Sequence, residues 1–259
     1  MKRISINQKY FVILFIGRDG SSAITSSINK HPDLFCYPEV FANRNDIKQN
    51  VILQDILNGN PLEEKYPKIF DGYSYEKKYK LHNNKLYKSI GIKIKIIQPK
   101  DFDYLKAFLE KYDFKVIQLI RRNIVKGAIS ILNRHRLQEK FGVPNTTNKS
   151  QTQNEPFYVD PKKFINVLKA RMSYLWMLND FASKISCEKI EIEYENFLLN
   201  RVETINTIFE FMNVENFSVS SDFVKNTPNE LDKIVKNLDE LKDEIHKNSN
   251  YAYCLKYFK

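Results

Sequence analysis

Residues 10–22 read YFVILFIGRDGSS, and this stretch decides the predicted fold. Its first seven residues form an unbroken apolar run rich in aromatic and β-branched side chains, which is typical of a buried strand in a parallel sheet. Gly17 and Gly20 follow and indicate a turn, and the serine pair after them can cap a helix that ends before Pro32. The segment therefore predicts a strand, a glycine loop and a helix in succession.

The same alternation continues along the chain. We predict strands at 90–97, 116–120 and 189–193 and helices at 102–112, 124–136 and 161–185. Alternating strands and helices favour a parallel sheet covered by helices on both faces, with ligands at the carboxyl ends of the strands. The predicted fold class is α/β, with three layers and a central parallel sheet, and the length suits one domain over 1–259.

Composition and net charge indicate the general class of the protein, but they do not identify its ligand. A hydrophobic content of 42% and a charged content of 28% are ordinary for a soluble globular protein. The apolar run at 10–17 is too short to span a bilayer, so we predict no transmembrane segment and a cytoplasmic location. The formal net charge of +10 favours anionic partners, either nucleic acid, phospholipid or a phosphorylated small molecule, although lysine-rich solvated helices would give the same value.

The loop GRDGSS at 17–22 has the composition of an anion-binding loop. It offers backbone N–H donors, the positive end of a helix dipole, two hydroxyls and a guanidinium. Glycines at such a turn can also be purely conformational. No lysine precedes the serine pair, so the loop is not a Walker A motif and has no matching apparatus for Mg²⁺.

Residues 18–32, RDGSSAITSSINKHP, resemble the 5′-phosphosulfate loop of sulfotransferases that use 3′-phosphoadenosine-5′-phosphosulfate (PAPS). The resemblance implies a P-loop-like fold, a single sulfotransferase domain, and a loop that binds PAPS through Arg18, Asp19, Gly20, Ser21, Ser22 and Ala23. Asp19 departs from the usual serine, and its negative charge would weaken anion binding unless it binds a cation such as Arg18 or a lysine.

A second motif, VIQLIRRNIVKGAIS at 116–130, delivers arginines at the end of a predicted strand, and Ser130 follows eight residues after Arg122. It resembles the 3′-phosphate site of the same family, which implies that Arg122 and Ser130 hold that phosphate. Its Arg-Arg-Asn resembles the bacterial carbohydrate-modifying branch. The other interpretation is a surface arginine pair with an ordinary helix serine.

Two more segments extend the resemblance. IEIEYENFL at 190–198 is similar to a family strand after which Tyr194 would border the adenine, although an aromatic residue at a strand end is also common in cores. SIGIK at 89–93 and the stretch from 226 to 240 resemble nodulation-factor-type sulfotransferases. The resemblance thus touches most of the chain.

Glu39, in CYPE at 36–39, is the predicted general base, since the family places an acidic base near the loop in several carbohydrate-modifying branches. An exposed loop glutamate is the alternative. His31, just before Pro32, is interpreted as structural, and the three widely spaced cysteines as reduced and structural.

The predicted activity is transfer of a sulfuryl group from PAPS to a hydroxyl or amine of an acceptor, expected to be a carbohydrate or glycoconjugate, with Arg18 and Glu39 as catalytic residues. PAP is the product, and neither a metal nor nucleic acid is expected to take part. Segments 73–87 and 144–156 are expected to meet the acceptor. The alternatives are a P-loop-like nucleotide-binding protein or kinase, a basic nucleic-acid-binding protein, and an inactive sulfotransferase homologue in which Asp19 impairs binding.

Overall fold

A parallel sheet forms the centre of the computed structural model, which describes residues 8–42, 48–60, 62–67, 87–142, 155–218 and 230–258. Its five described strands follow the order β2-β3-β1-β4-β5, and every neighbouring pair is parallel. The strands are β1 (Lys9–Phe15), β2 (Leu34–Tyr37), β3 (Ser89–Lys95), β4 (Lys115–Ile120) and β5 (Lys189–Glu193). Most of the predicted acceptor segments, together with residues 226–229, lie outside the described residues.

Helices cover both faces of this sheet. They are α1 (Ser21–Ile28), α2 (Gln49–Leu57), α3 (Leu62–Lys65), α4 (Phe102–Lys111), α5 (Ile124–Phe141), α6 (Pro161–Lys184), α7 (Tyr194–Leu199), α8 (Arg201–Phe211), α9 (Leu238–His246) and a 3-10 helix, Ser249–Phe258. The predicted α/β class, a central parallel sheet flanked by helices, is confirmed. None of the helices in the described ranges is long and apolar enough to cross a membrane.

The central strand β1 separates two cores because its side chains alternate between the two faces of the sheet. Phe11, Ile13 and Phe15 pack with residues of α1, α7 and α8, whereas Val12 and Leu14 pack with residues of α2, α4 and α6. A third apolar cluster joins α5 and α6 to α9 and the 3-10 helix. Burial on both faces explains why the sequence of β1 is continuously apolar.

The edge strand β2 was missed by the sequence analysis. It is only four residues long, and its sequence LFCY is apolar without alternation, so no periodicity marks it. Asn29, at the end of α1, stabilises it from the side away from β3: its Oδ1 accepts the Cys36 N–H at 2.6 Å and its Nδ2 donates to the Cys36 carbonyl at 3.0 Å. Pairing of β2 with β3 brings the residues after Tyr37 to the carboxyl edge of the sheet.

Gly91 in β3 gives a first testable prediction. It is paired in register with Phe11 of β1, and a Cβ at this position would overlap ring atoms of Phe11. Gly91→Ala is expected to lower the free energy of unfolding by about 1–3 kcal/mol, because a closely packed core cannot take the extra methyl group without strain. Chemical denaturation measures the change, and adding Phe11→Leu should recover part of it. Stability equal to that of the unaltered protein would contradict this packing.

Candidate functional site

The loop between β1 and α1 adopts a tightly bent backbone. Arg18 has φ +73° and Gly20 has φ +81°, both in the left-handed region. Gly20 is required for a second reason, since a Cβ there would overlap the ring of Tyr194. Helix α1 begins with Ser21 and Ser22. In the described part of the chain, no acceptor is present for the backbone N–H groups of residues 19–22. These N–H groups and the dipole of α1 make the loop suited to an anion.

Arg18 lies at the centre of a group of cations. Its Nε donates to the Ser130 Oγ at 3.1 Å, which joins the first motif to the second across 112 residues of sequence. Burial, together with repulsion from Arg134, Arg121 and Arg171, lowers the pKa of Arg18 to about 10. A bound anion would relieve this repulsion.

Asp19 does have the cationic partner that the sequence analysis required, but the partner is Arg171 of α6 and not Arg18 or a lysine. The Arg171 Nη2 donates to the Asp19 Oδ1 at 2.7 Å, and both side chains are buried. Burial raises the pKa of Asp19 to about 6, against the opposing effect of Arg171. Because this carboxylate points into the protein, only the backbone of Asp19 is placed to meet a ligand.

Tyr194, the predicted neighbour of the adenine, packs against the loop itself. The guanidinium of Arg121 lies 5.0 Å from the centroid of the Tyr194 ring, and the Arg121 Nη1 donates to the carbonyl of Arg18 at 3.1 Å. Burial raises the pKa of Tyr194. The structure therefore brings Tyr194 to Gly20 on the inner side of the loop, and its contact with a base stays a prediction.

Arg122 lies elsewhere. Its Nε donates to Glu193 at 2.7 Å and its Nη2 to Glu191, both on β5, so it is not beside Ser130 in this structure. Its side chain is 52% exposed, and these two carboxylates hold it. The role of Arg122 at a 3′-phosphate stays a prediction, and it requires Arg122 to leave these two carboxylates.

Glu39 contacts a buried lysine, and this lysine contacts the loop. The Glu39 Oε1 lies 3.7 Å from the Lys93 Nζ, and that Nζ lies 3.4 Å from the Ser22 Oγ. The Glu39 Oε2 accepts a hydrogen bond from the Gln98 Nε2 at 3.2 Å. The Glu39 side chain is 23% exposed, so it is held by two partners and still open to solvent. This arrangement is suited to a general base beside an anion site.

Lys93 and Lys95 are functional candidates that were not predicted from the sequence. Lys93 is fully buried, and burial lowers the pKa of both lysines. The side chain of Lys95 packs on Gly17, where a Cβ would lie 3.0 Å from the Lys95 Cε. The alternation of isoleucine and lysine in β3 was the available signal. In a strand that is buried on both faces, such lysines need an anionic partner.

Two other features are structural. The Nδ1 of His31 accepts the Asp33 N–H at 3.0 Å, and its Nε2 donates to the Glu215 carbonyl at 2.9 Å, so both ring nitrogens make contacts with the backbone. All three cysteines are free and buried. Among the described side chains, no group of three or more His, Cys, Asp or Glu could hold a metal ion.

Comparison with known proteins gives matches among solved structures alone. No family model and no curated protein matches the chain. A sulfotransferase from Alicyclobacillus acidocaldarius is 14% identical with a TM-score of 0.49, and the match covers 98% of this chain and 95% of that one. Mouse sulfotransferase SULT7A1 complexed with PAP is 12% identical, with a TM-score of 0.46 and coverage of 99% and 91%. Sulfotransferase STF9 from Mycobacterium avium is 11% identical, with a TM-score of 0.43 and coverage of 95% and 77%.

Proposed function

We propose that this protein is a sulfotransferase that moves a sulfuryl group from PAPS to an acceptor hydroxyl or amine. The observation that carries the proposal is the hydrogen bond between Arg18 and Ser130. The first residue belongs to the motif that resembles a 5′-phosphosulfate loop, and the second to the motif that resembles a 3′-phosphate site. Both phosphates of PAPS are attached to one ribose, so the groups that bind them must lie close together.

The charge around the loop supports the same ligand. Arg18 is surrounded by Arg121, Arg134 and Arg171, and Asp19 makes a direct ion pair with Arg171. Such a group of cations is suited to a ligand with more than one anionic group, and PAPS carries three. A 3′-phosphate beside Ser130 would bring a second phosphate to this group of cations, which a nucleotide without a 3′-phosphate does not supply.

The proposed reaction is an in-line displacement at sulfur. The acceptor oxygen forms a bond to sulfur while the bond from sulfur to the bridging phosphate oxygen breaks, and PAP leaves with that electron pair. The acceptor proton passes to Glu39. Arg18 neutralises the charge that grows on the bridging oxygen, and the N–H groups of the loop hold the 5′-phosphate. The chemistry resembles phosphoryl transfer and needs no covalent enzyme intermediate.

Lys93 connects the proposed general base to the anion loop. Its ammonium lies between Glu39 and Ser22, so a bound phosphosulfate would attract it towards the loop. The burial that lowers the pKa of Lys93 also strengthens its attraction to an anion, because little water screens the charge. We propose that Lys93 helps to hold the phosphosulfate and keeps the Glu39 carboxylate directed towards the loop.

The proposed acceptor is a carbohydrate or glycoconjugate, because Arg121-Arg122-Asn123 resembles the corresponding motif of carbohydrate-modifying sulfotransferases. An acceptor screen with labelled PAPS, in which sugars and simple alcohols are compared, tests this choice. Transfer to simple alcohols with none to sugars would overturn it.

The donor assignment is tested by the thermal stability of the protein with PAP, AMP or ATP. PAP is expected to stabilise the protein far more than AMP does, since only PAP has the 3′-phosphate. Ser130→Ala should reduce the preference for PAP by about tenfold or more, because hydrogen bonds to charged groups are worth about 1.5–3 kcal/mol. Ser183→Ala, an exposed serine on α6, is the control and should keep the preference.

Each result decides between classes of protein. Equal stabilisation by PAP and AMP would remove PAPS as the donor. Strong stabilisation by ATP that depends on Mg²⁺ would favour the nucleotide-binding or kinase alternative instead. Arg122→Ala in the same assay measures whether this arginine moves to the 3′-phosphate, and an unchanged preference would place the role on other groups.

A further inference from the structure

Arg171 of α6 has the largest side chain among the described residues that are fully buried, and it contacts the anion loop. Its Nη1 donates to the carbonyl of Gly17 at 2.7 Å, and its Nη2 donates to the carboxylate of Asp19 at 2.7 Å. These two acceptors stand on either side of Arg18. One guanidinium therefore bridges the loop across the residue that has a left-handed backbone. We call Arg171 with these two acceptors the loop anchor.

The loop anchor and Arg121 together determine which way two peptide groups of the loop face. The Gly17 carbonyl is turned towards Arg171, and the Arg18 carbonyl is turned towards Arg121, which donates to it at 3.1 Å. In a trans peptide the C=O and N–H bonds point in opposite directions. The N–H groups of Arg18 and Asp19 are therefore directed away from the two arginines. Without these donors, either peptide group could turn over and present a carbonyl oxygen to the ligand.

A left-handed backbone at a residue other than glycine persists where the surroundings impose it. At Arg18 the surroundings supply three hydrogen bonds, two from Arg171 and one from Arg121. They hold the Gly17 carbonyl, the Arg18 carbonyl and the Asp19 side chain. The conformation of Arg18, and the direction of its side chain towards Ser130, are thus set by α6 and by the end of β4.

Asp19 explains how such an arginine can be buried. A guanidinium without a counter-charge is very unfavourable inside a protein, and the Asp19 carboxylate is its ion-pair partner in the structure. The fit is close, since a Cβ at Gly127 of α5 would lie 2.5 Å from the Arg171 Cζ and Nε. Gly127 thereby leaves room for the guanidinium between α5 and the loop. Asp19, which departs from the family pattern, is thus accommodated by Arg171 on α6 and by Gly127 on α5.

We infer that Arg171 is a positioning residue that holds the anion loop with its N–H groups towards a phosphate, and that Asp19 serves it as a counter-ion and not as a ligand contact. The inference rests on the proposed function, because the phosphate is taken to be the 5′-phosphate of PAPS. Inorganic pyrophosphate tests the loop without that assumption, since it needs neither a ribose nor a 3′-phosphate.

The test is Arg171→Lys, which keeps the charge opposite Asp19 but replaces the planar fork that reaches two acceptors at once. The dissociation constants for PAP and for pyrophosphate, measured by titration calorimetry, should both rise about tenfold or more as the Gly17 carbonyl loses its charged donor. Arg201→Lys on α8 is the matched control and should bind both as the unaltered protein does. Gly91→Ala, which loses stability at a distance from the loop, should also keep its affinity and so separates positioning from general destabilisation.

Gly127→Ala provides a second variant, in which no charged residue and no residue of the loop is substituted. Its methyl group displaces the guanidinium, so the affinity for both anions should fall, and this variant decides the question if Arg171→Lys does not fold. A folded Arg171→Lys or Gly127→Ala protein with unaltered affinity for pyrophosphate would overturn the inference. If the unaltered protein binds pyrophosphate but does not prefer PAP to AMP, the proposed function fails while the loop anchor is still judged by pyrophosphate.

Discussion

Glu39→Gln is expected to lower the turnover of PAPS with its acceptor by about 100-fold or more while the affinity for PAP stays nearly unchanged. Glutamine keeps the shape of the side chain, and its single amide oxygen can still accept from one of the two donors, Lys93 or Gln98, that the carboxylate contacts. It cannot take the acceptor proton at neutral pH. Binding and chemistry should therefore separate, which is the signature of a general base.

The measurement compares steady-state turnover with the dissociation constant of PAP for the same preparation. Glu203→Gln, an exposed glutamate on α8, is the isosteric control and should leave both unchanged. Turnover that stays within a fewfold across neutral pH would show that Glu39 is a loop carboxylate. The base would then have to be sought among other groups beside the loop, such as Lys95, whose side chain packs on Gly17 and whose pKa is lowered by burial.

Gly20→Ala is expected to abolish most binding of PAP and to destabilise the protein. Two effects add at this position: the left-handed φ of +81° disfavours any side chain, and the new methyl group would overlap the ring of Tyr194. Relief of the overlap requires Tyr194 to move, and with it Arg121, which stacks on this ring and holds the carbonyl of Arg18. The affinity for PAP should fall about tenfold or more, because moving Arg121 removes the charge-assisted hydrogen bond that it donates to the Arg18 carbonyl.

Gly142 supplies the matched control for this prediction. It also has a left-handed backbone, with φ +69°, but a Cβ there meets nothing within 4 Å. Gly142→Ala should therefore cost only the backbone strain, about 1 kcal/mol, and leave the affinity for PAP unchanged. In Gly20→Ala, adding Tyr194→Ala removes the overlap and should recover part of the stability. Equal affinity of Gly20→Ala and Gly142→Ala for PAP would contradict the close packing of the loop on Tyr194.

Local signals in the sequence were enough for most of the fold. The apolar run before Gly17 predicted β1, and the glycines and serines after it predicted the loop and α1, because buried strands and helix caps depend on neighbouring residues. Strands β3, β4 and β5 and the long helices were predicted for the same reason. The edge strand β2 was missed, since four apolar residues have no measurable period and its outer edge is satisfied by a side chain, Asn29.

The sequence by itself also determined the parts of the candidate site that lie within motifs, namely the loop at 17–22, the serine at 130 and the tyrosine at 194. Only the tertiary structure decided how they are arranged. It placed Arg18 and not Arg122 beside Ser130, paired Asp19 with Arg171, and put Lys93 between Glu39 and Ser22. Each of these contacts joins residues far apart in the chain, and the partner of a buried charge is set by which helices pack together, which no local pattern records.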